Sequence, residues 1–161
     1  MSRASEALYA RVGSVETSES HKIVIVRSLW NHEITQRLLD SCQAELLAQG
    51  INETQIGLIE VPGSYELVYG AIRALEHNQA DIAICLGCII KGETQHDEFI
   101  ANATAQGLQQ LMLNTKKPCV FGVLTTNTEQ QAIDRSNGSH GDKGKEVAIT
   151  ALQLLSLDSS S

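Results

Sequence analysis

The chain has 161 residues, enough for one domain with a full hydrophobic core, and its 42% hydrophobic and 19% charged content are ordinary for a soluble globular protein. A net charge of −7 with no local Lys/Arg cluster argues against a nucleic-acid footprint, and no apolar run approaches the ~20 residues of a membrane span. An anionic substrate would have to be held by a few specific cations rather than by a general field.

Residues 1–21 have no clear period and lack the basic start and apolar block of a secretory signal. They read as an N-terminal arm, either packed on something else or mobile. A cytoplasmic location follows as the expectation, with Cys42, Cys85, Cys88 and Cys119 as reduced thiols. Cys85 and Cys88 spell C-x-x-C, but no second pair completes a zinc site and Cys85 sits inside an apolar run. Small core and strand-end residues is the favoured reading.

Residues 22–27 form a β-branched run that predicts a buried strand. A helix follows over about 33–49, with Asn31 as its N-cap, Ile34, Leu38, Cys42 and Leu46 on its apolar face, and Gly50 closing it. Residues 55–61 predict a second strand, stopped by Pro62-Gly63. A helix from Ser64 or Tyr65 to His77 turns Leu67, Ala71, Ala74 and Leu75 to one side. The most apolar run of the chain predicts a third strand over 80–86 and then a polar loop, 88–96.

A helix over 99–113 carries Ile100, Ala103, Gly107 and Leu111 along one stripe. Residues 119–124 predict the fourth strand; Asn127 with Gln130 predicts a capping box for a short helix ending near Arg135. A Gly/Ser/Asn loop spans 136–141, a last helix about 143–155, and a polar tail 156–161. Strand and helix alternate with connections long enough for parallel βαβ units, and three of the strands are continuous apolar runs. The expected fold class is α/β: a single domain over 22–155, a three-layer sandwich with a four-stranded parallel sheet and helices on both faces, in a flavodoxin-like arrangement.

All strand carboxyl ends of such a sheet lie on one edge, where ligands bind. The segments there hold Trp30, Tyr65, Glu66, Lys91, Glu93, Thr94 and His96. The chain has six Phe, Tyr and Trp residues, two of them in these short segments. Aromatics so placed either stack on a flat ligand or pack against helix starts. His96 is either a proton shuttle or a cap at a helix start. Backbone N–H groups there, with Thr94, would make an anion cradle, and Arg135 and Lys143 are the candidate cations. No G-x-G-x-x-G, Walker loop, G-x-S-x-G elbow or metal-spaced cluster is present. The residues alone thus describe a small protein without cofactor or metal motifs, with a site for a flat, anionic or polyhydroxylated ligand.

Three stretches resemble the lumazine synthase family of the riboflavin pathway. They are Val61-Pro62-Gly63-Ser64-Tyr65-Glu66, the run from Leu86 through Lys91-Gly92-Glu93-Thr94-Gln95 to His96, and the run from Phe121 through Thr125-Thr126-Asn127 to Ala132. Lys143-Gly144 also matches, and the likeness covers about residues 22–155. It implies condensation of 5-amino-6-(D-ribitylamino)uracil with 3,4-dihydroxy-2-butanone 4-phosphate to 6,7-dimethyl-8-ribityllumazine, without metal or redox cofactor. By matching position it implies that Trp30 stacks on the pyrimidine and that Ser64, Tyr65 and Glu66 hold the ribityl-bearing substrate. Cys88, Ile89 and Ile90 would read the uracil edge through their backbone. Glu93 and Thr94 would bind the butanone phosphate, with His96 as the proton-transfer residue. Phe121 and Arg135 match positions that reach in from a neighbouring subunit, Arg135 toward the phosphate, and Lys143 would assist near the same pocket.

The resemblance implies a homopentamer with sites between subunits, and leaves open an icosahedral 60-mer and association with riboflavin synthase. The chain departs from the family pattern at Leu29, Lys91, Asp97 and the 136–142 loop. The alternative reading is a non-catalytic flavin-binding or shell-forming relative using the same pocket.

Overall fold

The computed structural model describes residues 3–10 and 20–159. Four parallel strands, β1 (Ile23–Ser28), β2 (Ile56–Val61), β3 (Ile82–Ile90) and β4 (Cys119–Thr126), form one sheet in the order β2-β1-β3-β4. The helices are α1 (Arg3–Tyr9), α2 (His32–Ala48), α3 (Leu67–Ile72), α4 (His96–Thr115), α5 (Glu129–Arg135) and α6 (Lys143–Ser159). A 3-10 turn, Ser64–Glu66, leads into α3 and a π turn, Arg73–His77, leaves it, so the helix expected from Ser64 to His77 is one continuous helical run of mixed pitch.

The alternation of side chains along the central strands divides the interior into two cores. Ile23, Ile25, Ile82, Ile84 and Leu86 face α2 and α6, meeting Leu38, Leu46 and Leu152. Val24, Val26, Ala83 and Cys85 face α3 and α4, meeting Leu67, Ala71, Leu108 and Leu111. Every residue of β1 is buried, as its central position requires, whereas the edge strand β2 has only Val61 fully covered. The result is the three-layer α/β sandwich with a flavodoxin-like order.

Several expectations are corrected. β3 continues through Cys88, Ile89 and Ile90, which the sequence reading placed in a loop. Their register with β4 (Cys88 with Leu124, Ile89 with Thr125, Ile90 with Thr126) supplies the ladder, and the Lys91 N–H closes it on the Thr126 carbonyl at 2.8 Å. α4 starts at His96, and its buried face is Thr104, Leu108 and Leu111, while Ala103 is exposed. The apolar stripe misled because Thr104 is polar yet buried, its hydroxyl lying 2.7 Å from the Ile100 carbonyl and 3.1 Å from the Ser64 carbonyl.

The cap of α5 is Thr128, whose hydroxyl accepts the Gln131 N–H at 3.2 Å, while the Asn127 N–H donates to the Gln131 side chain at 2.9 Å. The cap therefore lies one residue beyond Asn127, and the expected reciprocal box does not form, because the Gln131 side chain accepts from Asn127 and not from the cap residue Thr128. The loop after Arg135 is an antiparallel hairpin of β5 (Ser136–Gly138) and β6 (Gly141–Asp142). α6 extends to Ser159, past the expected end at Leu155. Of the segment read as an arm, α1 packs on α6: Gln153 donates to the Leu8 carbonyl at 3.0 Å and Lys145 lies 5.2 Å from the Tyr9 ring centroid. Residues 11–19 lie outside the described residues.

Candidate active site

A cleft of about 620 Å³ opens at the carboxyl ends of β2, β1 and β3, beside the point where the strand order reverses. Trp30 and Asn31 contribute from the turn after β1, and Gly63, Ser64, Tyr65 and Glu66 from the turn after β2. The end of β3 adds Cys88, Ile89 and Ile90. The far wall is Gly92, Thr94 and the start of α4, with His96, Asp97 and Ile100.

Trp30 is 73% exposed, yet its backbone is fixed on both sides. Its N–H donates to the Pro62 carbonyl at 2.9 Å, and the Leu29 N–H to the Val61 carbonyl at 2.8 Å. The next residue, Asn31, sits in the left-handed region at φ 56° and makes no side-chain cap. Its amide donates instead to the Cys88 carbonyl at 2.9 Å, while its own carbonyl accepts the Ile34 and Thr35 N–H groups. One residue thus starts α2 and ties the β1 turn to β3. Asparagine suits this because it enters the left-handed region more readily than other side-chain-bearing residues. A polar residue before a helix reads as a cap, so sequence alone carried no signal of this second task.

Arg27, 3% exposed, anchors the same turn from below. Its guanidinium pairs with Glu60 at 2.9 Å and donates to the His32 carbonyl at 3.2 Å and to the Thr35 hydroxyl at 3.2 Å. Beneath the cleft, Gly87 permits a close approach: a Cβ there would stand 2.6 Å from the Ser64 hydroxyl and 3.3 Å from the Ser28 hydroxyl. Both hydroxyls are buried and make no hydrogen bond among the described residues. The Ser64 hydroxyl is therefore turned under the floor, leaving that residue's backbone as the part a ligand can meet.

The four cysteines are free and buried. Burial pushes the Cys88 thiol up to about 12, with the Glu129 carboxylate adding to it. Cys42 and Cys119 are also pushed up to about 12 by burial, and Cys85 well above the ordinary range. Burial and the raised thiols both disfavour the thiolate that a nucleophile or metal ligand needs. Among the described residues no group of three or more His, Cys, Asp or Glu could hold a metal ion, and no helix is long and apolar enough to cross a membrane.

Not every candidate from the sequence lines this cleft. Trp30, Ser64, Tyr65, Glu66, Cys88, Ile89, Ile90, Thr94 and His96 do; Glu93, Phe121, Arg135 and Lys143 do not. Phe121 lies on the edge strand β4, 41% exposed. Arg135 ends α5 with its guanidinium on the Gln131 carbonyl at 3.1 Å, and Lys143 opens α6 paired to Glu146 at 2.7 Å. The cleft itself carries carboxylates from Glu66 and Asp97 and no Lys or Arg. Asn31 and Ile100, which do line it, are positions the sequence reading gave other tasks.

Fold and cleft together define a flavodoxin-like α/β protein that takes a small ligand at its strand ends, with an aromatic face on one wall and a helix start on the other. A family model described as 6,7-dimethyl-8-ribityllumazine synthase matches residues 20–159. A relative of that name from Cytophaga hutchinsonii is 43% identical over 155 residues, covering 96% of this chain and 98% of its own. Relatives with the same name from Flavobacterium psychrophilum and Campylobacter jejuni subsp. jejuni are 41% and 37% identical, covering 88% and 90% of this chain and 75% and 94% of their own. The chain belongs to the 6,7-dimethyl-8-ribityllumazine synthase family, transferase-type enzymes of riboflavin biosynthesis.

Proposed function

We propose that this chain condenses 5-amino-6-(D-ribitylamino)uracil with 3,4-dihydroxy-2-butanone 4-phosphate, yielding 6,7-dimethyl-8-ribityllumazine, phosphate and two waters. The observation that carries this reading is the convergence of three separate stretches, 30–31, 63–66 and 88–97, on one cleft. Trp30 offers an open ring face for the pyrimidine. The strand end Cys88–Ile90 offers backbone donors and acceptors to the uracil edge. Glu66 with the backbone of Ser64 and Tyr65 takes the ribityl hydroxyls. Glu93 and Thr94, at the N-terminal end of the 20-residue α4, take the butanone phosphate, because free N–H groups and the helix dipole favour an anion there.

The pyrimidine amine attacks the ketone carbonyl and water leaves to give an imine. Phosphate is then eliminated, and ring closure expels the second water. Each step moves a proton, and His96, which lines the cleft, carries it in this reading. Holding two substrates in register supplies much of the acceleration, on the order of 7–11 kcal/mol at most.

A phosphate in this cleft needs a cation that its own lining lacks. We infer that Arg135, Lys143 and Phe121 serve the site of a neighbouring copy, so that the working unit is a homopentamer with sites between subunits. An icosahedral 60-mer and association with riboflavin synthase would be further steps built on that unit, and sedimentation of the protein alone and with riboflavin synthase tests them. The reaction as proposed needs neither metal nor cofactor and suits a cytoplasmic enzyme. The domain over 22–155 is proposed as the catalytic unit. A non-catalytic flavin-binding relative is not favoured, given the names of the relatives. The test is to mix the protein with both substrates and follow the fluorescent lumazine. Formation well above the uncatalysed rate is expected; a rate equal to it would reject the reading.

A further inference from the structure

Arg135 and Lys143 bracket the β5–β6 hairpin, one ending α5 and the other opening α6. Helix α2 lies against this unit and meets it with residues spaced four apart, the spacing that aligns side chains on one helix stripe. The Arg37 Nε donates to the Ser136 carbonyl at 2.9 Å and to its hydroxyl at 3.1 Å, and Nη2 donates to the Asn137 carbonyl at 3.2 Å. The Ser41 hydroxyl donates to the Asp142 carboxylate. Glu45 pairs with Lys145 at 3.8 Å. Behind them the backbones touch: a Cβ on Gly144 would stand 2.4 Å from the Leu38 carbonyl and 2.9 Å from the Ser41 Cβ.

Of these contacts, those of Arg37 fall nearest to Arg135. Ser136, which directly follows Arg135, is fully buried and receives two of the three bonds. The charged, planar guanidinium makes stronger and more directional bonds than a neutral donor. The guanidinium of Arg135, by contrast, is held among the described residues by a carbonyl one turn back on its own short helix. Its placement therefore follows the backbone at the α5–β5 junction, which the Ser136 hydroxyl on the Ile133 carbonyl and the His140 N–H on the Asp134 carbonyl hold locally and which Arg37 grips from α2.

We propose that Arg37 is a positioning residue for the phosphate-bearing substrate: it fixes the backbone beside Arg135 and so sets where that guanidinium meets the phosphate. This role rests on the reading of Arg135 as the phosphate ligand. In this role Arg37 acts through the backbone of its own chain, to which its three bonds go.

The test measures kcat, the KM for each substrate and the melting temperature for Arg37→Ala, Arg37→Gln, Arg135→Ala and the double variant Arg37→Ala/Arg135→Ala. Arg37→Ala and Arg37→Gln are each expected to raise the KM for the butanone phosphate roughly tenfold, with the KM for the pyrimidine unchanged. The double variant should be no worse than Arg135→Ala, because Arg37 acts through Arg135. The role is overturned if the Arg37 variants leave the butanone phosphate KM unchanged while Arg135→Ala raises it. It is equally overturned if the two losses multiply in the double variant, or if both substrates' KM values rise together, as a general loosening of the fold would cause. No effect of Arg135→Ala on the phosphate substrate would remove the underlying reading and this role with it. Because Arg37 is exposed on α2, both single variants should fold, and a single cooperative melting transition, lowered only modestly by the lost bonds, checks this.

Discussion

Asn31 shows how much one side chain can decide. Its φ of 56° lets α2 begin immediately after the β1 turn, and its amide reaches across to the Cys88 carbonyl. Asn31→Ala should lose that bond and place a Cβ-bearing residue without a local hydrogen bond in the left-handed region, costing about 1–2 kcal/mol. Asn31→Gly removes only the bond and should cost less; denaturant unfolding of the two variants checks the order. The cysteines give a pH test. Burial raises the Cys42, Cys88 and Cys119 thiols to about 12 from an ordinary 9.0. A raised folded pKa means that stability is fully present below the unfolded value and declines as pH rises toward the folded one. Unfolding free energy should therefore fall between about pH 9.0 and about 12. The slope should be shallower in Cys42→Ala, whatever that variant loses in packing.

At the scale of elements, the strands and helices were legible because their apolar periods are strong. α2 buries the four residues its spacing names, and α3 and its π turn bury Leu67, Ala71, Ala74 and Leu75. What the pattern missed lies at the ends of elements, where polar groups decide. β3 runs four residues past Leu86 because β4 continues to offer partners, a long-range fact that no local pattern states. The buried face of α4 centres on Thr104, whose hydroxyl satisfies itself on the Ser64 and Ile100 carbonyls and ties α4 to the turn carrying Tyr65 and Glu66. Thr104→Val should destabilise the fold by about 1 kcal/mol, whereas Thr104→Ser should retain most of the stability. If the turn it braces holds the ribityl chain, Thr104→Val should also raise the KM for the pyrimidine more than that for the butanone phosphate. Equal stability of the Val and Ser variants would show that the hydroxyl contributes nothing.

For the whole molecule, the candidate residues divide into two groups. One lines the cleft: Trp30, the 64–66 turn, the end of β3, Thr94 and His96. The other, Phe121, Arg135 and Lys143, belongs to β4, α5 and α6 and lies outside that lining. The resemblance already implies that Phe121 and Arg135 reach in from a neighbouring subunit; the residues alone do not show the separation, because it depends on the order β2-β1-β3-β4 placing β4 at an edge. The proposed completion of the site by a neighbour would require heterologous contacts, which cyclic symmetry closes into a ring. The most direct measurement co-expresses two differently tagged variants, Glu66→Ala and Arg135→Ala, and assays the purified mixed oligomers for lumazine formation. Each variant alone should be strongly impaired. With equal random mixing, about one site in four receives an intact Glu66 and a neighbour's intact Arg135, so activity should recover to about a quarter of the unsubstituted level. Recovery no greater than the average of the two variants alone would contradict a site shared between chains.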